Sequence, residues 1–277
     1  MRRTYWAVTF GLLTFPVFAA APGSAGRPTA LELDLADARF VIRAVPGDGE
    51  IGIDGSAAKL PFKVKRTARE AGGGVWKETI HCSGTKSRRK DADGTNDGWT
   101  YELDTIQVTI PQDRLLDLNL VVHRGQSDID LGGLTLSAVR IELLSGDHEL
   151  TFGSPVRREL DQVEVRASRG EFNLHGLANT RAREFLFRGS AGSWELEFDG
   201  KWREEPDSVV SLEASMGDLI VRLPSHLKLL GDSSSRAFMG ESAKPELQEA
   251  VNAQSASGPG VLLKMRMTMG SSSLERF

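Results

Sequence analysis

A glycine-anchored pattern recurs along the second half of the chain and constrains its fold more than any other feature. The anchoring glycines are Gly125, Gly146, Gly170, Gly192, Gly217 and Gly270. Apolar residues stand seven and five positions before each glycine and four positions after it: Leu118, Val139, Val163, Phe185, Val210 and Leu263; Leu120, Ile141, Val165, Phe187, Leu212 and Met265; Ile129, Leu150, Leu174, Leu196, Val221 and Leu274. Because a period of two indicates a strand with one buried face, each copy is two short strands that meet at a glycine turn.

One such copy cannot bury its apolar row alone, so the copies must stack. The intervals between the glycines from Gly125 to Gly217 are 21, 24, 22 and 25 residues. The pattern therefore predicts an all-β fold, a single-chain β-solenoid of about 21–25 residues per coil whose strands pair with those of the neighbouring coils. A β-sandwich of hairpins with similar spacing is the alternative. We favour the solenoid because the apolar positions recur in every copy. Gly47 anchors a degenerate further copy, with Phe40 and Ile42 before it and Ile51 and Ile53 after it.

The first 25 residues have the pattern of a secretory signal peptide. Met1-Arg2-Arg3 is basic, an apolar run continues to Ala21, and small residues follow to Ala25. We expect cleavage after Ala19 or Ala25, with an uncleaved N-terminal anchor as the alternative. No second apolar run of that length follows, so we expect no membrane span after cleavage and a periplasmic or secreted location.

The rest of the chain divides into two regions around residue 112. Residues 27–112 form an N-terminal β region, a strand-rich cap with a polar, charged and mobile loop over 83–98. Residues 113–277 form the repeat solenoid, with an excursion over 231–260 before the last coil. Within the excursion, Ser242 precedes a segment with the pattern of one short helix.

Charge and cysteine content exclude several classes of protein. The chain has 34 Lys and Arg against 38 Asp and Glu, a net charge of −4, whereas nucleic-acid binding calls for a basic surface. The one cysteine, Cys82, cannot close a disulfide within the chain or build a cysteine-based zinc site. In an oxidising compartment it is either unpaired or intermolecular.

The segment over residues 116–152, LDLNLVVHRGQSDIDLGGLTLSAVRIELLSGDHELTF, resembles the core repeat of toast-rack domains. These domains occur in LiaF-like cell-envelope stress proteins and in related adhesin-like proteins of bacterial surfaces. The region from Leu31 to about Pro111 is similar to the part that precedes their repeats. The resemblance implies a β-solenoid in the cell envelope and transfers no catalytic residue. This chain lacks the bundle of membrane helices of the LiaF-like proteins, which leaves a secreted or periplasmic version.

Motifs for chemistry are weak throughout. No two histidines stand at metal-ligand spacing on one element, so we expect each of them on the surface. We expect Trp194 and Trp202 to pack in the core or in a turn, with stacking on a sugar as the alternative. No catalytic residue and no cofactor is predicted.

The leading functional hypothesis is a non-enzymatic envelope or secreted scaffold, adhesin-like or stress-sensing, which binds an envelope protein or a glycan. The alternative is a polysaccharide-active β-helix enzyme, a lyase or hydrolase, which would need acids that converge in a concave cleft.

The outward positions of the repeat make two further predictions. Before the glycine, Arg140 should face Glu164, and Glu142 should face Arg166, as cross-strand ion pairs that help fix the register. After the glycine, an acidic strip is formed by Asp128, Asp130, Glu149, Glu195 and Glu197, with no Lys or Arg in the aligned positions before Arg222. The strip is either a solvated acidic surface or a weak site for divalent cations or a basic partner.

Overall fold

The computed structural model describes residues 29–55, 62–71, 74–84, 105–205, 207–230, 236–237 and 258–277. The expected signal peptide, most of the 83–98 loop and the short helix of the 231–260 excursion lie outside the described residues. Within them, the fold is all-β, as the repeat predicts, and a 3₁₀ helix spans Leu177–Thr180. Of the residues described, none belongs to a helix with the length and apolar character that a membrane span requires.

The described strands join into one 15-stranded sheet. They are β1 (Thr29–Ala36), β2 (Ala38–Val45), β3 (Gly52–Asp54), β4 (Lys63–Glu70), β5 (Trp76–Ser83), β6 (Thr105–Pro111), β7 (Leu115–Val122), β8 (Gly125–Asp130), β9 (Thr135–Thr151), β10 (Leu160–His175), β11 (Ala182–Glu197), β12 (Ser208–Leu223), β13 (Lys228–Leu230), β14 (Arg236–Ala237) and β15 (Gly260–Arg276).

The repeat copies pair in parallel and in the register that the glycines predict. Gly125 lies beside Gly146, and the pairing continues through Gly170, Gly192, Gly217 and Gly270. Strands β9 to β12 and β15 each contain both halves of a copy, before and after the glycine. On the N-terminal side of β9, two shorter strands form each layer of the stack: first β7 and β8, then β1 and β2, then β5 and β6. This parallel stack differs from the antiparallel hairpins of the sandwich alternative.

The core is the apolar side of this parallel stack. The aligned apolar residues of the repeat are buried, with Leu274 in the last strand partly buried. Because equivalent residues of successive strands lie side by side, each packs between its own counterparts: Leu150, for example, lies between Ile129 and Leu174. This packing is what one copy could not achieve alone.

The register at β2 differs from the one that the Gly47 alignment suggested. Ala38 lies beside Gly125, so Phe40 and Ile42 follow the turn instead of preceding it. Ile53, expected to follow the turn, lies on β3, which runs antiparallel to β6.

The reason is the turn between β1 and β2. Asp37 adopts a left-handed φ of 57°, so this turn needs no glycine. The first true copy therefore carries Leu31 and Leu33 before the turn, beside Leu118 and Leu120 of the next copy. This copy has no glycine at its turn, so the glycine spacing does not predict it.

The N-terminal end of the stack contains a buried acid where other copies carry an apolar residue. Glu78 on β5 lies beside Leu31 and is 1% exposed. Arg66 Nε donates to its Oε1 at 2.6 Å, and Arg114 Nη2 donates to its Oε2 at 2.9 Å. Two guanidinium groups thus compensate the burial of one carboxylate and connect β4 and the residue before β7 to β5.

Candidate functional site: the two outward faces of the stack

Polar side chains line two outward faces, one on each side of the glycine turns. We call the outward side chains four and six positions before the turn the pre-glycine face. We call those three and five positions after the turn the post-glycine face. Because neighbouring strands lie about 4.8 Å apart, equivalent side chains of successive copies form rows at that spacing.

On the pre-glycine face, three arginines surround one carboxylate. Glu164 is 8% exposed, and its oxygens lie 3.0 Å from Arg140 Nη2, 2.8 Å from Arg166 Nη2 and 3.4 Å from Arg188 Nη1. The predicted pair of Arg140 and Glu164 is confirmed, and the pair of Glu142 and Arg166 is present at 3.7 Å. The sequence alignment did not anticipate that Arg188 also reaches Glu164.

These arginines determine the charge state of Glu164. Burial by itself acts to raise the pKa of this carboxyl, but hydrogen bonds and charge from Arg166 and Arg140 outweigh it and hold the pKa below its ordinary value. Glu164 is therefore an ionised anchor that orients the guanidinium groups around it.

The post-glycine face contains the acidic strip, and the structure adds a cation to it. Asp128 lies beside Glu149 in the ladder. Arg43 lies on the neighbouring strand β2, beside Asp130. It donates a hydrogen bond to the Asp128 carboxylate and another to the Asp128 backbone oxygen at 2.9 Å. The Gly47 alignment hid this arginine, because it placed Phe40 and Ile42 before the turn.

Three other members of the strip, Glu195, Glu197 and Asp130, are also engaged. Arg222 donates to the Glu195 carboxylate, and His175 Nδ1 lies 3.1 Å from Glu197 Oε2. Asp130 Oδ1 accepts hydrogen bonds from the backbone N–H groups of Gly132 at 2.9 Å and Gly153 at 3.0 Å. Among the described residues, no group of three or more His, Cys, Asp or Glu is placed to hold a metal ion. Cation binding by the strip stays a prediction.

Besides the pair of His175 and Glu197, the structure contains a cluster of two histidines and one aspartate that the sequence does not predict. Asp34 on β1 lies between two imidazoles, with Oδ2 at 2.7 Å from His81 Nδ1 and Oδ1 at 2.8 Å from His123 Nε2. His81 is on β5 and His123 directly follows β7, so the parallel stacking brings together residues that no local motif connects. Only the register of β1 could have predicted this cluster.

The prediction that every histidine lies on the surface is wrong for His148. It is 2% exposed, its Nδ1 lies 2.8 Å from Ser127 Oγ, and its ring stacks on Phe172 with centroids 5.4 Å apart. Burial lowers the pKa of His148 to about 4, because the apolar surroundings disfavour the imidazolium. Its Nε2 is buried without a hydrogen-bond partner.

The core also contains Trp194, Trp202 and Cys82. Trp194 is fully buried and Trp202 is 8% exposed, so neither is placed to stack on a sugar. Cys82 is buried as a free thiol, and burial raises its pKa to about 11. A buried, protonated thiol is a poor partner for an intermolecular disulfide.

No family model and no curated protein matches the chain. Among solved structures, it is similar to a candidate cell adhesion protein from Clostridium sporogenes, with 13% identity over 92% of this chain and 94% of that chain. The TM-score of 0.32 is too low for the similarity to carry an argument about function.

Proposed function

We propose that the chain is a non-enzymatic protein of the bacterial cell envelope, periplasmic or secreted, built as a toast-rack-like β-solenoid. Its role is that of a rigid binding or sensing scaffold, adhesin-like, for an envelope protein or a glycan. The observation that carries this proposal is the continuous parallel ladder from β5 to β15, which holds rows of charged side chains at a fixed spacing along two outward faces.

A scaffold of this kind fits the way in which the acids are used. An enzyme that cleaves polysaccharides needs acidic groups that converge on a cleft and remain available for proton transfer or nucleophilic attack. Here Glu164 is held by arginines, Asp128 by Arg43, and Glu195 by Arg222. Groups engaged in this way stabilise the register and the surface rather than a reacting substrate.

The envelope location is supported by the N-terminal sequence and fits the state of the cysteine. An oxidising compartment threatens exposed thiols, and Cys82 is buried with a pKa raised to about 11. The thiol is thereby protected without a disulfide.

Localisation is tested by expressing the full chain with a C-terminal tag in a bacterium, fractionating the cells, and sequencing the N-terminus of the recovered protein. We expect periplasmic or secreted protein that begins after Ala19 or Ala25. Full-length protein confined to the cytoplasm would contradict the proposal.

The binding role is tested separately from the enzymatic alternative. Mature protein is incubated with intact cell envelopes and with a panel of polysaccharides, and both pelleted protein and newly formed reducing ends are measured. We expect retention on envelopes or glycans without new reducing ends or unsaturated products. Product formation with turnover would support the lyase or hydrolase instead.

A further inference from the structure

The pre-glycine face holds more guanidinium groups than tightly bound carboxylates. Glu164 is the carboxylate that Arg140, Arg166 and Arg188 share. The two further acids of this region are more distant, since Glu142 lies 3.7 Å from Arg166 and Glu213 lies 3.5 Å from Arg188. Each guanidinium carries five N–H donors, so three of them present many more donors than these contacts use.

The unused donors face solvent. The side chains of Arg140, Arg166 and Arg188 are 55%, 44% and 52% exposed. Arg188 is the most loosely held, because its contacts to Glu164 and Glu213 measure 3.4 and 3.5 Å. A ligand carboxylate can displace Glu142 and Glu213 from the arginines while Glu164 stays in place as their buried anchor.

From this arrangement we propose that the pre-glycine face binds a linear acidic polysaccharide through Arg140, Arg166 and Arg188. The inference rests on the proposed scaffold function and names its ligand class. Arg166 and Arg188 lie side by side on β10 and β11, about 4.8 Å apart, and Arg140 on β9 lies two residues along the strand from them, beside Glu164. The three charges therefore follow one another across three successive strands along a bent line. A polyuronate also carries its carboxylates in a row, one on each sugar, and the planar guanidinium matches a carboxylate in bidentate fashion.

One apolar side chain on the same face adds to this match. Leu186 on β11 lies beside Glu164 on one side and Ser211 on the other, and is half-buried. The C–H side of a sugar ring can pack on such a side chain while the carboxylates reach the arginines. This combination of apolar and cationic contacts matches an acidic sugar, which presents C–H groups next to its carboxylate.

The probe is an oligomer of polygalacturonate, with neutral galactan of similar length as its uncharged counterpart, and binding is measured by titration calorimetry at low and moderate salt. We expect saturable binding of the acidic oligomer that weakens with salt, and no binding of the neutral one. No binding of the acidic oligomer at low salt, equal binding of galactan, or equally tight binding of a single-stranded DNA of the same charge would overturn the inference.

Two variants with the same change in net charge locate the site. Arg140→Gln with Arg188→Gln should weaken binding about tenfold or more, because charge-assisted hydrogen bonds are lost. Arg39→Gln with Lys228→Gln removes two exposed cations outside this face and should change affinity less than about twofold. Equal weakening by both pairs would show attraction to overall charge and would overturn the inference.

Folding of each variant is checked by its circular dichroism and melt. If the Arg140 and Arg188 double variant does not fold, Arg188→Gln alone provides the test, because neither of the contacts of Arg188 is shorter than 3.4 Å. Retention of the double variant on cell envelopes, together with undiminished affinity for polygalacturonate, would overturn this inference and leave the proposed scaffold function standing.

Discussion

Two regions of the parallel stack share one register but differ in how they make the turn between paired strands. From Gly125 to Gly270 the turn residue is a glycine, and φ is between 118° and 144° at Gly125, Gly146, Gly170, Gly217 and Gly270. A Cβ on Gly146 or Gly170 would lie 1.8 Å from the carbonyl oxygen of the preceding glycine. In the first copy the left-handed residue is Asp37, and Ala38 occupies the position beside Gly125.

Glycine meets two separate requirements in the repeats. One is the left-handed backbone, which Asp37 satisfies with a φ of 57°, since Asp tolerates this region better than most residues. The other is the close approach of successive turns, which leaves no room for a side chain. Between β1 and β2 the left-handed residue is Asp37, one position before the residue that lies beside Gly125. That next residue is Ala38, so the parallel pairing continues there without a glycine.

The largest expected effect comes from placing a charge in the shared core row. Leu150→Asp puts a carboxylate between Ile129 and Leu174, and Ile42→Asp does the same beside Ile129 in the N-terminal region. Because each position is fully buried, each variant should lose about 4 kcal/mol or more and fail to melt cooperatively. Thr151→Asp, the next residue but on the outward face, is the control that should fold. A normal melt for Ile42→Asp alone would separate the N-terminal strands from the shared core.

The turn itself gives the second prediction. Gly146→Ala should cost about 3 kcal/mol or more, since the added methyl group meets a backbone oxygen and the φ of 133° is strained for alanine. The reverse change in the first copy, Ala38→Gly, should cost only about 1 kcal/mol. Urea unfolding measures both. Similar costs at the two positions would contradict the difference between the turns.

This contrast also explains what the sequence could and could not predict. The positions of Val139, Val163 and Val210 relative to their glycines predict the strands, their buried side and their parallel register, because the same spacing recurs in every copy. The copy at Leu31 was invisible, since it has no glycine, and a search anchored on Gly47 shifted Phe40 and Ile42 to the wrong side of the turn. Because β1 was not aligned with the repeat and β2 was aligned in the wrong register, two clusters of side chains were not predicted.

Those hidden clusters are the ones that depend on β1 and β2. The bond between Arg43 and Asp128 needs β2 beside β8, and the contacts of Asp34 with His81 and His123 need β1 between β5 and β7. By contrast, Arg140 and Glu164 lie in correctly aligned copies, and their contact was predictable. Burial of His148 also follows from the repeat, because His148 stands two residues before Leu150, on the inward side, and beside Phe172 of the next copy. The expectation of a surface position came from the residue type and not from the alternation.

His148 provides the third prediction, which compares one inward row across both regions. In the N-terminal region that row holds Phe40, beside Ser127, which is beside His148. The pKa of His148 is lowered from 6.5 to about 4, so the unfolded chain takes up the proton first as the pH falls. Stability from this group is therefore complete above pH 6.5 and should decrease by about 3 kcal/mol between pH 6.5 and 4.

The measurement is urea unfolding at several values of pH across that window. The double variant Ser127→Ala with His148→Phe removes both partners of their hydrogen bond and extends the aromatic row, so its stability should fall less steeply with pH. His226→Gln removes an exposed histidine and should keep the slope of the parent. A double variant with the parent's slope would assign the pH dependence to other groups.

The smallest expected effect concerns the acidic strip and the arginine that the N-terminal region contributes to it. Asp128 is bonded to Arg43 and Asp130 to two backbone N–H groups, so replacing either removes a contact as well as a charge. Glu149 lies beside Asp128 in the ladder. Without added cations, we expect Glu149→Gln alone to raise the melting temperature slightly, corresponding to a gain of less than about 1 kcal/mol in the free energy of unfolding.

Calcium distinguishes a cation site from a solvated acidic surface at this strip. If the strip binds divalent cations weakly, millimolar calcium should raise the melting temperature of the parent, because the bound ion relieves repulsion between carboxylates. Arg43→Gln should enlarge that shift, since it removes the cation that already compensates Asp128. The combination of Asp128→Asn, Asp130→Asn and Glu149→Gln should abolish it. A calcium shift in the triple variant as large as that of the parent would show that the ion acts elsewhere and that this face is only solvated.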